Sequence, residues 1–360
     1  MVNFDWSQEG NKVILMTEMG ETHWIVPDDY KLEDTHKDIL RLIEHMLYDN
    51  WGELSNVEKM AKEEVRTREF GPEIGLSFSA GVDSTAAMCV LPERTKLVYH
   101  ERDEDLGGLL DQTNALNMID EIRKTGREVT IVKSNHEKIR MYHGQIRGFA
   151  SDWAPATGLI LLADYYNLGY ICYGTTLGES FLDRGYYYRD FYNHPSQVRW
   201  RKIFNNAGLH LTLPVGGVSE VAINNIVQQS PWKNLANSCI RTGVDGSGCR
   251  LCSKCWRKSM LNGWEMKEGY LETKEMKNKL SPLYQAHTVI YGAQKSGTNL
   301  PELEKFINMN VTWVERYYPF ALQLVPQELR NDIIKKLGDY GINQMCGTEM
   351  VEMQEFTVLK

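Results

Sequence analysis

A chain of 360 residues with 42% apolar content can bury one large core and still carry substantial additions to it. Its formal charge of -8 provides no global basic face, which argues against nucleic acid as a partner and favours a small-molecule or protein substrate. Met1-Val2-Asn3-Phe4-Asp5-Trp6 turns polar at once, and the most apolar run, Leu159 to Tyr173, is broken by Asp164 and Asn167. Neither a secretory leader nor a membrane span is expected, and the expected location is cytoplasmic.

Residues 3–26 alternate apolar and polar around two turn signals, which predicts a three-stranded meander. Ile39, Leu42, Ile43, Met46 and Leu47 share one face of a helix between Leu32 and Asp49, and a charged helix is predicted over Val57 to Arg68. Residues 1–70 therefore read as an added N-terminal region for packing or for a homodimer contact.

A strand then begins at Glu73 and runs through Ser77 into Ser79-Ala80-Gly81-Val82-Asp83-Ser84-Thr85, a small-residue turn that opens directly into a helix. Backbone amides collect around a phosphate in this context. Ser84 and Thr85 add hydroxyl donors, and Asp83 is placed to hold the magnesium that accompanies a polyphosphate. No Gly-Lys-Ser/Thr follows, so the turn is not of the Walker type.

Further strands are predicted at Thr95–His100, Glu128–Val132 and Gly169–Gly174, with helices at Leu109–Lys124 and Leu159–Tyr166. Strands alternating with helices at this spacing predict an α/β fold with a parallel sheet. Ligands in such sheets lie beyond the C-terminal strand ends, so the loop, Tyr99-His100 and Gly174-Thr175 should border one cleft. Asp183-Arg184-Gly185-Tyr186-Tyr187-Tyr188-Arg189 offers rings to stack on and arginines to grip a carboxylate, or else is a surface loop of paired charges.

Of seven cysteines, Cys239, Cys249, Cys252 and Cys255 cluster. That distribution fits a metal site in a reducing compartment better than a disulfide framework. Four cysteine ligands point to structural zinc, with an iron–sulfur cluster as the alternative. Past Lys258, helices are predicted over Trp264–Leu280, Pro301–Arg316 and Val325–Leu337, with Leu283–Leu300 irregular; Trp313, Tyr317, Tyr318 and Phe320 form an aromatic run that reads as core or dimer contact.

Ser79-Ala80-Gly81-Val82-Asp83-Ser84 resembles the Ser-Gly-Gly-x-Asp-Ser loop of the N-type ATP pyrophosphatases (PP-loop enzymes), with Ala80 in place of a glycine. That exchange is cheap at negative φ and disabling if φ must be positive. Together with Cys239, Cys249, Cys252, Cys255 and the following Arg257, the loop is similar to the 7-cyano-7-deazaguanine synthase branch of that superfamily. The resemblance covers Glu73 to Lys258. It implies a doubly wound, adenine nucleotide α-hydrolase-like sheet in residues 71–258, ending at a zinc-binding segment and followed by a mostly helical extension, 259–360.

By resemblance, ATP, Mg2+ and Zn2+ are the cofactors. The implied reaction is adenylation of a carboxylate, then attack by ammonia or an amine to give an amide or nitrile. Nucleotide contact is implied for Ser77, Ser79, Ala80, Gly81, Val82, Asp83, Ser84, Thr85, Tyr99, His100, Gly174 and Thr175, and catalysis for Ser79, Asp83 and Ser84. Substrate contact is implied for Glu179, Asp183, Arg184, Tyr186 and Arg189. The chain departs from the family at Tyr99-His100-Glu101, where Tyr-Gly-Gln is usual, and at Trp153-Ala154-Pro155-Ala156-Thr157-Gly158, where Pro-Gly-Arg-Asn is usual. A changed acceptor, including a protein carboxylate as in relatives from bacterial defence operons, follows as an expectation. The other readings are a thiolation-type RNA enzyme using Arg199, Trp200, Arg201 and Lys202, and a nucleotide-binding module without turnover.

Overall fold

In the computed structural model, residues 3–51, 68–103, 110–241, 247–280, 283–298 and 300–358 are described. The predicted helix over 57–68 lies almost entirely outside them. The strands are β1 (Asp5–Glu9), β2 (Lys12–Thr17), β3 (Gly20–Ile25), β4 (Glu73–Phe78), β5 (Lys96–Arg102), β6 (Val129–Ser134), β7 (Leu168–Cys172) and β8 (His210–Thr212). The helices are α1 (Lys37–Tyr48), α2 (Val82–Val90), α3 (Thr113–Lys124), α4 (Lys138–Tyr142), α5 (Thr157–Leu161), α6 (Pro195–Asn206), α7 (Glu220–Gln229), α8 (Ser253–Asn262), α9 (Lys274–Leu280), α10 (Ala286–Ser296), α11 (Gln327–Asp339) and α12 (Gly347–Glu355).

All eight strands form one sheet in the order β1-β2-β3-β6-β5-β4-β7-β8. From β6 to β8 the pairings are parallel, as the alternation predicts. The meander is antiparallel and is not a separate layer: Trp24 and Ile25 of β3 pair with Ser134 and Lys133 of β6. The sheet is therefore mixed, and the N-terminal strands lengthen it. Trp24 fixes the junction by donating its indole N–H to Thr157 Oγ1 at 3.1 Å, with Trp6 stacked 5.5 Å away.

Period-two alternation sends neighbouring residues to opposite faces. Leu97 and Tyr99 join a core with α2, α3, α7 and α11, whereas Val98 joins a core with α1, α5, α6 and α10. Helices thus cover both faces. Arg68 leads the chain into β4 as a buried cation, bonded to Asp164 Oδ1 at 2.7 Å and to the carbonyls of Gly208 and Leu168 at 2.8 and 2.9 Å. A buried charge is tolerable when its donors are satisfied in this way.

The chain leaves β4 toward β5 and β6, then returns to β7 on the other side of β4. The order reverses at β4/β7, and a crevice opens there beyond the strand C-termini.

Past residue 258 the expectations need correction. Leu283–Leu300, expected irregular, contains α10. Pro301–Arg316 holds short 3-10 turns at Pro301–Leu303 and Thr312–Glu315 in place of a helix, and the helix predicted from Trp264 starts at Lys274. Trp313, Tyr317 and Tyr318 are buried in the cores, and Phe320 is exposed.

Three buried imidazoles make the fold acid-sensitive. Burial, their largest influence, pushes His45, His136 and His287 down to about 4, about 3 and about 4 from 6.5. The unfolded chain takes up these protons near pH 6.5 and the folded chain not until near pH 4, so stability falls as pH drops through that window. Denaturant midpoints should decline steadily from about pH 7 to about pH 4; a flat profile would show that these rings do not titrate as buried neutral groups.

Candidate active site and metal centre

β4 ends at Phe78 and α2 begins at Val82, so three residues make the whole connection. Ser84, in the first turn of α2, holds the turn closed: the Ser79 amide donates to Ser84 Oγ at 3.2 Å, the Ser79 and Ser84 hydroxyls lie 3.0 Å apart, and Ser84 Oγ donates to the Gly81 carbonyl at 3.2 Å. The amides of Ala80, Asp83 and Ser84 have no hydrogen-bond partner among the described residues. Ala80 has φ of 55°. This is the costly branch of the sequence expectation, a left-handed residue where glycine is the natural occupant.

The end of β7 abuts this turn. A Cβ at Gly174 would lie 2.7 Å from the Ser84 amide nitrogen and 2.8 Å from the Asp83 carbonyl carbon, so the approach requires glycine. Gly174 thus serves packing against the loop as well as the cavity wall.

A cavity of about 610 Å³ occupies the crevice. Ser77, Ser79, Ala80, Gly81, Asp83 and Ser84 form one end, joined by Tyr99, His100, Gly174, Thr175, Glu179 and Arg189 among the residues expected from sequence. Val82 and Thr85 are not on the wall: both are buried, and the Thr85 hydroxyl points 3.9 Å from Met118 Sδ on α3. Asp183, Arg184 and Tyr186 are likewise absent from it. Asp183 pairs with Arg189 at 3.0 Å, Arg184 is exposed with φ of 50°, and Tyr186 packs edge-on to Tyr284. Arg189 is itself committed, donating to the carbonyls of Ser180 and Glu179 at 2.6 Å each.

Part of the cavity wall is aromatic. Phe149, Trp153, Tyr173 and Phe191 line it with His100 and His194. His100 is held neutral, its proton affinity lowered first by burial and then by His136 4.5 Å away. Tyr99 donates to Gln112 Oε1 at 3.1 Å, and Gln112 also bonds both backbone groups of Arg102 at 2.8 Å. Burial pushes the Tyr99 phenol well up, so it is a donor and not a base.

At the loop end, half-buried Asp83 makes no ion pair among the described residues, and burial raises its carboxyl against the pull of Lys258. That Lys258 belongs to a buried group on α7 and α8. Glu220 accepts from Arg257 Nε at 2.7 Å and lies 3.4 Å from Lys258 Nζ. Burial alone would raise the Glu220 carboxyl, but Arg257 and then Lys258 hold it down to about 2.

The sulfurs of Cys239, Cys249, Cys252 and Cys255 all lie within 4.8 Å of one another, with Cys249 to Cys255 and Cys239 to Cys252 at 3.9 Å each. A tetrahedral thiolate site around one ion such as zinc needs sulfurs about 3.8 Å apart. The donor set fits that ion. A four-iron cluster, which spreads its cysteines over separate irons, asks for wider spacing. Without a cation the thiols compete: hydrogen bonds from Cys252 and Cys255 pull the Cys239 thiol down, and those two are pushed up in turn. The segment before Cys239 lies over the loop, since the Asn237 amide reaches the Ala80 carbonyl at 3.4 Å and the Val82 amide reaches Ser238 Oγ at 3.3 Å. Cys239 and Lys254 both line the cavity, making the metal centre its neighbour.

Sequence reasoning missed Arg102, Phe149, Gln197 and Lys254 on the wall. Lys254 was hidden as a spacer within Cys252-x2-Cys255; a search for cations beside the ligands would have found it.

A protein-family model described as a family of unknown function (DUF6395) matches residues 199–357. No curated protein and no solved structure matches the chain. The matched stretch contains the four cysteines and the C-terminal helices and excludes the β4–α2 turn.

Two outcomes are expected. Ala80→Gly should stabilise the fold by about 1 kcal/mol through relief of the left-handed alanine; a lower denaturant midpoint would remove the claim of strain. Cys252→Ser should reduce bound metal from one ion per chain and lower thermal stability, checked by elemental analysis beside a melting curve. Full metal content in that variant would rule the cluster out as the ligand set.

Proposed function

We propose that the chain is an ATP-dependent enzyme of the PP-loop type, which adenylates a carboxylate with release of pyrophosphate and then joins the acyl group to nitrogen. The observation that carries this reading is the β4–α2 turn at the point where strand order reverses, with three amides and Asp83 that have no partner among the described residues, on the wall of a cavity. Such a turn is an anion site by geometry and by the dipole of α2. The doubly wound topology of nucleotide-binding sheets has its crevice at the same place.

In the proposed reaction, a carboxylate oxygen attacks the α-phosphorus of ATP in line, and the bond to the β-phosphate breaks. The amides of Ala80, Asp83 and Ser84, with the Ser79 hydroxyl, would receive the charge that builds on the pyrophosphate. Asp83 would hold magnesium, which supplies further charge neutralisation when bound. Ammonia or an amine then attacks the acyl carbon, AMP leaves with the C–O bonding pair, and the nitrogen loses a proton. Activation of the resulting amide oxygen in the same way would lead to a nitrile. The aromatic part of the wall, from Phe149 to Phe191, suits a planar acceptor. It also contains His100, Trp153 and Pro155, three of the positions where the chain departs from the deazaguanine synthases, which supports a different acceptor from theirs, a protein carboxylate included.

Ala80 specifically favours a second reading, a module that binds nucleotide without turning it over. A thiolation-type RNA enzyme gains no such support: Arg199 is paired with Asp49, Trp200 is buried, and Arg201 stacks 3.6 Å over Tyr192.

The test is pyrophosphate and AMP release from ATP and magnesium, with 7-carboxy-7-deazaguanine, ammonium, or protein added in turn. Asp83→Ala should cut release by at least about a hundredfold with an unchanged melting curve. Release at the normal rate in that variant would remove the assignment, and ATP binding without any release would favour the second reading.

A further inference from the structure

Among the described residues, three cationic side chains other than histidine line the cavity: Arg102, Arg189 and Lys254. Two are already committed. Arg102 lies 2.5 Å from the buried Glu137, and Arg189 is tied to Asp183 and to two carbonyls. Lys254 is exposed and has no anionic partner among the described residues. The neighbouring Arg257 and Lys258 are buried beside Glu220 and are not on the cavity wall. Lys254 is felt electrostatically by Asp83, the unpaired acid of the β4–α2 turn. An uncommitted ammonium and a row of uncommitted amides at one cavity end are complementary to a polyphosphate.

The backbone on either side of Lys254 is tied by named contacts. Cys252 and Cys255 flank it as two of the four clustered thiols. Between them, Ser253 gives both its amide and its hydroxyl to Glu275 Oε1 at 3.3 Å. Lys254 therefore stands in the first turn of α8, between two of the four clustered thiols and next to the Ser253–Glu275 bonds.

We infer that Lys254 is the phosphate-binding cation of the cavity and that the four-cysteine centre positions it, so that metal occupancy governs anion affinity at the loop. The inference rests on reading the β4–α2 turn as a phosphate site, and it gives the metal a role beyond holding the fold together. It assigns a contact to a residue that the Cys-x2-Cys pattern treats as a spacer.

The experiment is calorimetric titration of inorganic pyrophosphate with magnesium into the full chain at one fixed ionic strength. Metal content and a melting curve accompany each sample. Lys254→Gln should keep its metal and melting curve and bind pyrophosphate about tenfold more weakly, or worse, as expected for loss of a charged hydrogen-bond donor. Lys254→Arg should retain most of the affinity. Metal-stripped wild type should lose affinity by a comparable factor, and Lys254→Gln should add little further loss once the metal is gone.

Equal binding by wild type and Lys254→Gln overturns the inference while leaving the phosphate loop intact. An undiminished Lys254→Gln effect in stripped protein overturns the coupling to the metal. Should stripping unfold the chain, the Gln and Arg variants of the loaded protein still decide the role of Lys254. Absence of pyrophosphate binding by folded, loaded wild type overturns both the inference and the phosphate-site reading beneath it.

Discussion

Glu220, Arg257 and Lys258 bring three formal charges into the interior, and the candidate site depends on their staying together. Ionised groups removed from water must be paired and hydrogen-bonded, and taking away one partner of such a set costs about 3–5 kcal/mol. Here the 2.7 Å contact from Arg257 to Glu220 locks α8 to α7. In turn α7 packs against α2, whose first turn closes the β4 loop. The helix that begins at the cysteine cluster is thereby set beside the helix that begins at the β4–α2 turn. This buried carboxylate and the contacts from Asn237 and Ser238 to the turn hold loop, cavity and cysteines together.

The local parts of this arrangement were legible in the sequence. A strand, a three-residue turn and a helix leave their mark within fifteen residues, and four cysteines on short spacings announce themselves. The parts that depend on tertiary contact were not. Gly292 and Gly297 made 283–300 look irregular, yet Gly292 sits inside α10 because a Cβ there would come within 2.9 Å of Met260 Cβ on α8. Glycine at a helix crossing is a packing residue that propensity reads as a breaker. Similarly, Arg184 and Tyr186 have the chemistry of a binding loop, but docking of that loop on Tyr284 and Gln285 turns them away from the cavity. Thr85 follows the same logic, since one step along α2 from Ser84 rotates its hydroxyl into the core.

The cavity wall combines a compact turn with a set of aromatic side chains. The turn consists of backbone groups and small side chains, whose function depends on geometry more than identity. The aromatic part is set by side chains from β5, the segment before α5, and the stretch after β7. A sheet of this order can therefore keep one turn while other parts of the wall are redrawn, because they are carried by different connections.

The sheet and cores are joined by contacts between distant parts of the chain. β3 pairs with β6 across Trp24 and Ser134, Leu213 bonds to the carbonyl of Leu324, and Leu329, Ile333 and Leu337 complete the core beneath α2. A polypeptide grows from its N-terminus, so the apolar face of α2 emerges long before the residues that cover it. At about 5–20 residues per second, that interval is on the order of ten seconds or more. Non-local pairing of this kind also slows folding after release. During synthesis the half-built sheet would present an open hydrophobic underside, the kind of surface that chaperones shield.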